Sequence, residues 1–329
     1  MTLILYERAD HPDMYYITKW DSDVKCLYVE SEDTQTLYVP GFEYLRAKKE
    51  ISTVSVKKLS SIKEVLSQIT EDVRVNTSFA YALSKHLAKQ PEVISTVHES
   101  RKQKTSEEIT HIRRAQQISQ QAIKVVTDLL DQVELKGGVA HIDGEVLTAE
   151  YCKLQARTYL LSQGADCPEL IVSSGKQTSQ PHNRGSGPIR EGPVIIDIFA
   201  QTTSKYHGDC TRTYLLGECP TATRMYEAVK EAHDVCAKKA KTNMSVSELN
   251  HLAESILERH GFENTKEKGF IHSLGHGVGL AVHEAPSISP ASDETLKESN
   301  VITIEPGLYY DVGVRYENII LVSDNPEIL

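Results

Sequence analysis

Positive charge is scarce along this chain of 329 residues. Lysine and arginine number 36, against 46 aspartate and glutamate residues, so the formal net charge is −10 at pH 7. Nucleic-acid backbones and anionic membrane surfaces attract clusters of Lys and Arg. The acidic balance therefore argues against a nucleic acid or a membrane surface as the partner.

Long apolar runs are missing as well. No uncharged stretch approaches the roughly 18 residues that span a bilayer, and residues 1–7 lack the basic region of a secretory signal. The six cysteines are scattered without a Cys-x-x-Cys pair, which argues against a zinc ribbon or a redox dithiol. Scattered thiols without a signal segment predict a reduced, cytoplasmic protein.

The composition that is present is that of a globular protein, with 40% hydrophobic and 25% charged residues. Residues 1–103 predict a small α/β accessory domain without a phosphate-binding loop, followed by a polar linker. Its predicted strands lie at residues 25–29, 36–39 and 73–75, and its predicted helices near residues 62–69 and 80–88.

Residues 104–329 predict a larger α+β domain. Thr105 and Glu108 have the spacing of a capping box, and apolar residues recur at helical spacing behind them. Two helices followed by strands then occur twice, which suggests an internal duplication. The predicted helices are a long one after Thr105 and others near 147–163, 224–241 and 247–260; the predicted strands are 170–172, 194–199, 211–216, one near Phe270, 301–304 and 319–322.

Carboxylates interrupt the apolar strands of this domain. Asp197 lies inside the run 195–199, and Glu305 ends the run 301–305. A charge on a buried strand is costly unless it is paired or bound to a metal. Each has an acidic partner twelve residues later, Asp209 and Glu317, a spacing that predicts neighbouring arms of a hairpin. Both pairs are offset by the same 108 residues, as the duplication requires.

Four convergent carboxylates indicate cation binding. Without cations the four charges repel one another and some must take up protons, whereas two divalent ions neutralise them. The segment 272–286 adds the histidines His272, His276 and His283 among glycines, and imidazole is a good ligand for first-row metals.

These segments resemble the pita-bread metallopeptidase family, which includes methionine aminopeptidase, aminopeptidase P and prolidase. The matching stretches are residues 196–197, 206–213, 276–280, 283–286, 304–309 and 313–317. The resemblance runs from about residue 105 to the end. It implies a duplicated pita-bread catalytic domain of the α+β class, preceded by a small creatinase-type α/β domain, and it is closest to the Xaa-Pro dipeptidase and aminopeptidase P branch.

The resemblance also implies a dinuclear metal site. Asp197 is expected to bind one ion, His276 and Glu305 the other, and Asp209 and Glu317 to bridge both. The two divalent ions, Mn²⁺ by preference or else Co²⁺ or Zn²⁺, would hold a hydroxide and polarise the scissile carbonyl. Glu305 is the expected proton shuttle.

Further residues are assigned to the substrate by the same resemblance. His182, His272 and His283 are expected to donate hydrogen bonds to the developing oxyanion and the leaving nitrogen. Tyr309 and Arg315 belong to the proline-specific signature, with Arg315 expected to bind a carboxylate or to orient Glu317. The family usually has glycine where this chain has Phe199, a departure that bears on substrate preference.

The expected activity is hydrolysis of Xaa-Pro bonds at the N-terminus of short peptides by a homodimer. Two alternatives remain open: a non-catalytic pita-bread protein that binds peptides or proteins, and a peptidase of methionine-type specificity, favoured by the stretch 206–209. All five ligand positions are filled, which favours the enzyme over the binding protein.

Overall fold

The computed structural model describes residues 1–95 and 97–329. Contacts divide the chain into unit 1, Met1–Arg101, and unit 2, Lys102–Leu329. Among the described residues, no helix combines the length and the apolar character that crossing a bilayer requires.

Unit 1 is a six-stranded mixed sheet with short helices. Its strands are β1 (Thr2–Arg8), β2 (Lys25–Glu30), β3 (Gln35–Val39), β4 (Ser55–Lys58), β5 (Val73–Asn76) and β6 (Glu92–Ile94), in the order β4-β3-β2-β1-β5-β6. Its helices are α1 (Pro12–Thr18), α2 (Tyr44–Glu50), α3 (Ile62–Ser67) and α4 (Tyr81–Ser84). Alternate residues of β1 enter different cores, since Leu3 and Leu5 pack in one cluster and Ile4 in another.

The hairpin predicted in unit 1 is confirmed, with Leu27 opposite Tyr38 across β2 and β3. The helix predicted over residues 80–88 is shorter than expected, because α4 ends at Ser84 and none of its residues is buried. Leu83 packs against a core cluster while remaining only partly buried. So small a packed face gives the helix little of the tertiary contact that is the main support of helices in proteins.

The first half of unit 2 pairs two helices with a three-stranded sheet. Its elements are α5 (Ser106–Leu130), β7 (Glu134–Lys136), β8 (Val139–Ile142), β9 (Glu145–Val146), α6 (Ala149–Ser162), β10 (Ala165–Asp166), β11 (Ile171–Ser174), β12 (Gly192–Ile198), β13 (Gln201–Thr202) and β14 (Cys210–Leu216). The capping box of Thr105 and Glu108 is present at the start of α5. Strands β11, β12 and β14 form the sheet, and its apolar face packs on α5 and α6.

The second half repeats this order. Its elements are α7 (Pro220–Lys239), α8 (Val246–Arg259), β15 (Gly275–Gly277), β16 (Glu284–Ile288), β17 (Val301–Ile304), β18 (Gly307–Tyr309), β19 (Gly313–Arg315), β20 (Asn318–Leu321) and β21 (Glu327–Ile328). The strand predicted near Phe270 is wrong: Gly269 forms only an isolated bridge with Tyr309, and its φ of +100° interrupts an extended run. The short strands β7, β8 and β9 were not expected.

Candidate metal centre

The two acidic pairs lie at the ends of two hairpins, one in each half of unit 2. Across β12 and β14, Asp197 is opposite Thr211, and Asp209 directly precedes β14. Across β17 and β20, Ile304 is opposite Asn318, so that Glu305 and Glu317 flank the end of that ladder. The twelve-residue spacing therefore has the structural origin that the sequence predicts.

A single cavity of about 330 Å³ brings these side chains together. Eight of the predicted site residues line it: His182, Asp197, Asp209, His276, His283, Glu305, Arg315 and Glu317. The other lining residues are Glu169, Ile171, Arg184, Phe199 and Val282. The cavity is thus acidic and imidazole-rich, with an apolar wall.

His276 stands among three of the carboxylates. Its Nε2 lies 3.3 Å from Glu305 Oε1 and 3.7 Å from Asp209 Oδ2. Ligand atoms of Asp209, His276 and Glu317 all lie within 4.8 Å of one another, close enough to hold one metal ion. The imidazole Nδ1 donates to the Gly277 carbonyl at 3.1 Å, which fixes the ring and leaves Nε2 as the ligand atom.

The donor set fits divalent metal ions. Carboxylate oxygens and imidazole nitrogen are the ligands that first-row divalent ions take in proteins. Asp197 is buried, and its Oδ1 has no hydrogen-bond partner among the described residues. A buried carboxylate oxygen without a partner is strongly unfavourable, and a bound cation removes that penalty.

Arg315 connects Asp197 to Tyr309 and Thr211. Its Nη2 donates to Asp197 Oδ2 at 2.5 Å, and its Nη1 donates to the Tyr309 hydroxyl at 2.9 Å. Its Nε donates to Thr211 Oγ1 at 3.1 Å, and that hydroxyl donates to Glu317 Oε2 at 2.7 Å. Arg315 therefore holds Asp197 directly and reaches Glu317 through Thr211.

His272 and Tyr309 lie beside the cavity rather than among its lining residues. His272 Nδ1 donates to the Ser273 carbonyl at 2.8 Å, so its Nε2 accepts from the Tyr309 hydroxyl, 3.3 Å away. Both ring nitrogens of His272 are thus engaged within the protein. His283 lies closer to the ligands, with its ring centroid 4.2 Å from that of His276.

Burial and like charge act together on the carboxylates. Burial raises the pKa of Asp209 well above its usual range, and the neighbouring carboxylates, Glu317 first, raise it further. Burial and the charge of Glu305 raise the pKa of Glu317 to about 8. Glu305 behaves differently: burial acts to raise its pKa, but its hydrogen bond with His276 brings the pKa below its usual range. Divalent ions relieve this repulsion and displace protons from the cluster.

The structure adds positioning residues that the sequence analysis did not single out. The Asp209 backbone N–H donates to Gln116 Oε1 at 2.8 Å, and Gln116 on α5 is fully buried. Gly208 lets the chain approach α5, since a Cβ there would lie 2.5 Å from the Ala115 carbonyl carbon. The sequence signal for this contact is that Gln116 lies beside the apolar stripe of α5. An amide buried there requires a hydrogen-bond partner.

Comparison with known proteins agrees with this geometry. The sequence profile of metallopeptidase family M24 matches residues 110–324. The chain is 32% identical over 308 residues to the Xaa-Pro dipeptidase of Pyrococcus furiosus, covering 89% of this chain and 83% of that protein. It is 30% identical to the Xaa-Pro dipeptidase of Pyrococcus horikoshii, covering 96% of this chain and 89% of that protein. The structure of prolidase from Pyrococcus furiosus superposes with a TM-score of 0.85 at 29% identity, covering 99% of this chain and 95% of that one.

Proposed function

The chain belongs to metallopeptidase family M24 and has its pita-bread fold, and from that premise we propose that it hydrolyses Xaa-Pro bonds at the N-terminus of short peptides. The observation that carries the proposal is the cavity in which four carboxylates from both halves of unit 2 meet His276. The relatives that are Xaa-Pro dipeptidases support proline as the second residue of the substrate.

We assign the five ligands as the resemblance implies. Asp197 would hold one ion, His276 and Glu305 the other, and Asp209 and Glu317 both. Bound divalent ions, with Mn²⁺ proposed first and Co²⁺ or Zn²⁺ as alternatives, supply Lewis-acid polarisation of the scissile carbonyl and acidify water.

The protein's own groups complete the reaction. Glu305 stays ionised through its contact with His276 and accepts the proton of the attacking water. His182 and His283 line the cavity and can donate N–H groups to the carbonyl oxygen and the leaving nitrogen. His272 and Tyr309 act through Arg315, whose guanidinium orients Asp197.

The proposal extends to the state of the whole protein. Residues 1–103 would form the accessory domain and residues 104–329 the catalytic domain, in a cytoplasmic homodimer. The family resemblance supports the dimer, and the scattered cysteines support the compartment. Light scattering of the purified chain tests the dimer directly: a monomer would overturn that part.

A substrate panel tests the activity. The protein, reconstituted with Mn²⁺, Co²⁺ or Zn²⁺, is assayed on Xaa-Pro dipeptides, Xaa-Pro tripeptides and Met-Ala-Ser, and elemental analysis measures the bound metal. We expect turnover of the Xaa-Pro substrates at near-stoichiometric metal. Turnover of Met-Ala-Ser alone would indicate methionine-type specificity, and no turnover of any peptide would reject the peptidase.

Replacing Glu305 tests the proposed proton acceptor. The variant Glu305→Gln should lose turnover by at least a hundredfold, and the metal content of the variant, measured by elemental analysis, separates a lost general base from a lost ligand. The exposed Glu267 offers a matched control, since Glu267→Gln makes the same chemical change away from the cavity. Activity retained in Glu305→Gln would assign the proton transfer to another group.

A further inference from the structure

Two charged side chains line the cavity without a part in the proposed chemistry. Arg184 Nη2 lies 2.5 Å from Glu169 Oε1, and the two side chains are 58% and 62% exposed. An ion pair with this exposure contributes at most about 1 kcal/mol. A ligand that binds the Arg184 guanidinium more strongly can therefore replace Glu169 with little loss of free energy.

The backbone that carries Arg184 is fixed. Its carbonyl accepts from the Val172 N–H at 3.2 Å, and Lys153 Nζ donates to the next carbonyl, that of Gly185, at 2.8 Å. Gly185 has φ +73°, and a Cβ on it would overlap the Val172 carbonyl oxygen. The loop between β11 and β12 thus packs tightly against β11. The Arg184 side chain can therefore change its rotamer while its backbone stays in place.

The other arginine of the cavity, Arg315, already uses its guanidinium in hydrogen bonds within the protein. The Arg315 side chain is 5% exposed, and its three nitrogens donate to Asp197, Thr211, Tyr309 and the Pro181 carbonyl. Of the Lys and Arg residues lining the cavity in the described chain, Arg184 is the one whose guanidinium can turn to a ligand.

A peptide substrate brings a carboxylate that the cavity must accommodate. The acidic ligand cluster repels that group unless a cation receives it, and guanidinium matches carboxylate geometry through two parallel N–H···O bonds. The cavity volume of about 330 Å³ is near the lower end of the roughly 300–1,000 Å³ of small-molecule sites, which suits a dipeptide. In a dipeptide, the carboxylate lies only one residue beyond the scissile bond.

We propose that Arg184 leaves Glu169 to bind the C-terminal carboxylate of the substrate, which makes dipeptides the preferred substrates. This inference rests on the proposed Xaa-Pro peptidase activity and adds its substrate class. Arg184 is a substrate-binding residue in this scheme, and Glu169 holds it in place until the substrate arrives.

The test compares a dipeptide with its amide, which lacks the terminal charge. In the wild type, KM for Ala-Pro should be about tenfold lower than for Ala-Pro-amide, since a tenfold difference is the scale of one charge-assisted contact. Arg184→Gln should raise KM for Ala-Pro about tenfold, leave KM for the amide unchanged and preserve kcat. Arg184→Lys should recover part of the difference.

A matched control uses an arginine in a similar exposed ion pair. Arg157 Nε lies 2.8 Å from Asp166 Oδ1, and the two side chains are 45% and 37% exposed. Arg157 is not among the residues that line the cavity. Arg157→Gln should therefore leave both KM values unchanged. Equal KM values for acid and amide in the wild type, or an equal loss on both in Arg184→Gln, would overturn the role of Arg184.

Equilibrium binding separates this inference from the proposed activity. Calorimetric titration of the metal-loaded protein with Ala-Pro and Ala-Pro-amide reports the carboxylate contact whether or not either peptide is hydrolysed. Tighter binding of Ala-Pro that disappears in Arg184→Gln supports the contact even if turnover is absent. Turnover of Xaa-Pro peptides with no acid-over-amide preference in binding rejects Arg184 and leaves the peptidase intact.

Discussion

The Thr211 hydroxyl links Arg315 to Glu317. It accepts from Arg315 Nε at 3.1 Å and donates to Glu317 Oε2 at 2.7 Å, and it is fully buried. Thr211→Val keeps the shape but removes both bonds, so we expect metal affinity to fall about 10- to 100-fold, as for other groups that orient ligands. Calorimetric Mn²⁺ titration measures this, with the exposed Thr223→Val as control. Unchanged affinity would show that Glu317 needs no such support.

Phe199 belongs to the apolar wall of the cavity. It lines the cavity and packs against the core of the first half of unit 2. Phe199→Ala should enlarge the cavity and raise kcat/KM for Phe-Pro relative to Gly-Pro. The lost packing should lower the free energy of unfolding by about 1–3 kcal/mol, less than for a fully buried phenylalanine.

The control for this substitution is Phe262→Ala, which removes a partly buried phenylalanine from the other core. It should lower stability by a similar amount without changing the Phe-Pro to Gly-Pro ratio. If both variants leave that ratio unchanged, Phe199 does not determine the preference for the first residue.

The candidate metal centre could be predicted from the sequence because two of its acidic residues lie in apolar strands. Asp197 and Glu305 interrupt apolar strands, and a charge in such a place requires an explanation. Arg184 is a polar residue of the kind found on any surface, and Thr211 lies in the matching stretch 206–213 without any sign of its contacts there. Their positions depend on β12 and β14 pairing in register and on the loop before β12, which only the folded chain shows.

Helix α7 carries a buried histidine that makes stability depend on pH. His233 on α7 accepts from Asn318 Nδ2 at 3.0 Å, and its Nδ1 lies 2.9 Å from Asp234 Oδ1. Burial lowers the pKa of His233 to about 4, although Asp234 acts to raise it. Arg212 and Lys230, which pack on the ring of Tyr316 beside His233, lower it further.

The sign of the effect follows from proton uptake. Between pH 6.5 and about 4, His233 is protonated in the unfolded chain and neutral in the folded chain. Stability from this group is therefore complete above pH 6.5 and is lost as the pH falls through that window. At about 1.4 kcal/mol per pKa unit, the loss amounts to about 3 kcal/mol.

Urea unfolding at several pH values measures the contribution of His233. His233→Gln keeps an acceptor for Asn318 and cannot titrate, so the variant should show a shallower decline of unfolding free energy from pH 6.5 to 4.5 than the wild type. The difference between the two curves isolates this group from the carboxylates that titrate in both proteins. Parallel curves would place the titration elsewhere.

Long periodic elements were predictable and short ones were not. The observed ends of α5, α7, α8 and β17 lie within a few residues of the predicted ends. The helices were predicted from their apolar periodicity and β17 from its apolar run. Strands β7, β8 and β9 have two to four residues. Strands β7 and β9 are exposed throughout and β8 is mostly half-buried, so none shows the alternation that marks a strand. The bridge at Gly269 depends on a partner forty residues away, Tyr309, which no local pattern reveals.

At the scale of the whole molecule, the candidate metal centre draws its residues from the two halves of unit 2. The constant 108-residue offset of the acidic pairs reflects β12 with β14 in one half and β17 with β20 in the other. Neither half supplies the site alone, because each brings two carboxylates and the second half also brings His276. Metal binding should therefore stabilise unit 2 as one body.

Metal removal tests this coupling. Treatment with a chelator should lower the unfolding temperature of the protein, and Mn²⁺ at a hundred times its dissociation constant should restore about 2.7 kcal/mol. Hydrogen exchange should slow on metal addition in both β12 and β17, while β1 and β2, in a unit that supplies none of the five ligands, are the internal reference. Asp209→Asn should reduce the protection in both halves together. Protection gained in one half alone would mean that the ion is held by that half, and that the duplicated hairpins do not share it.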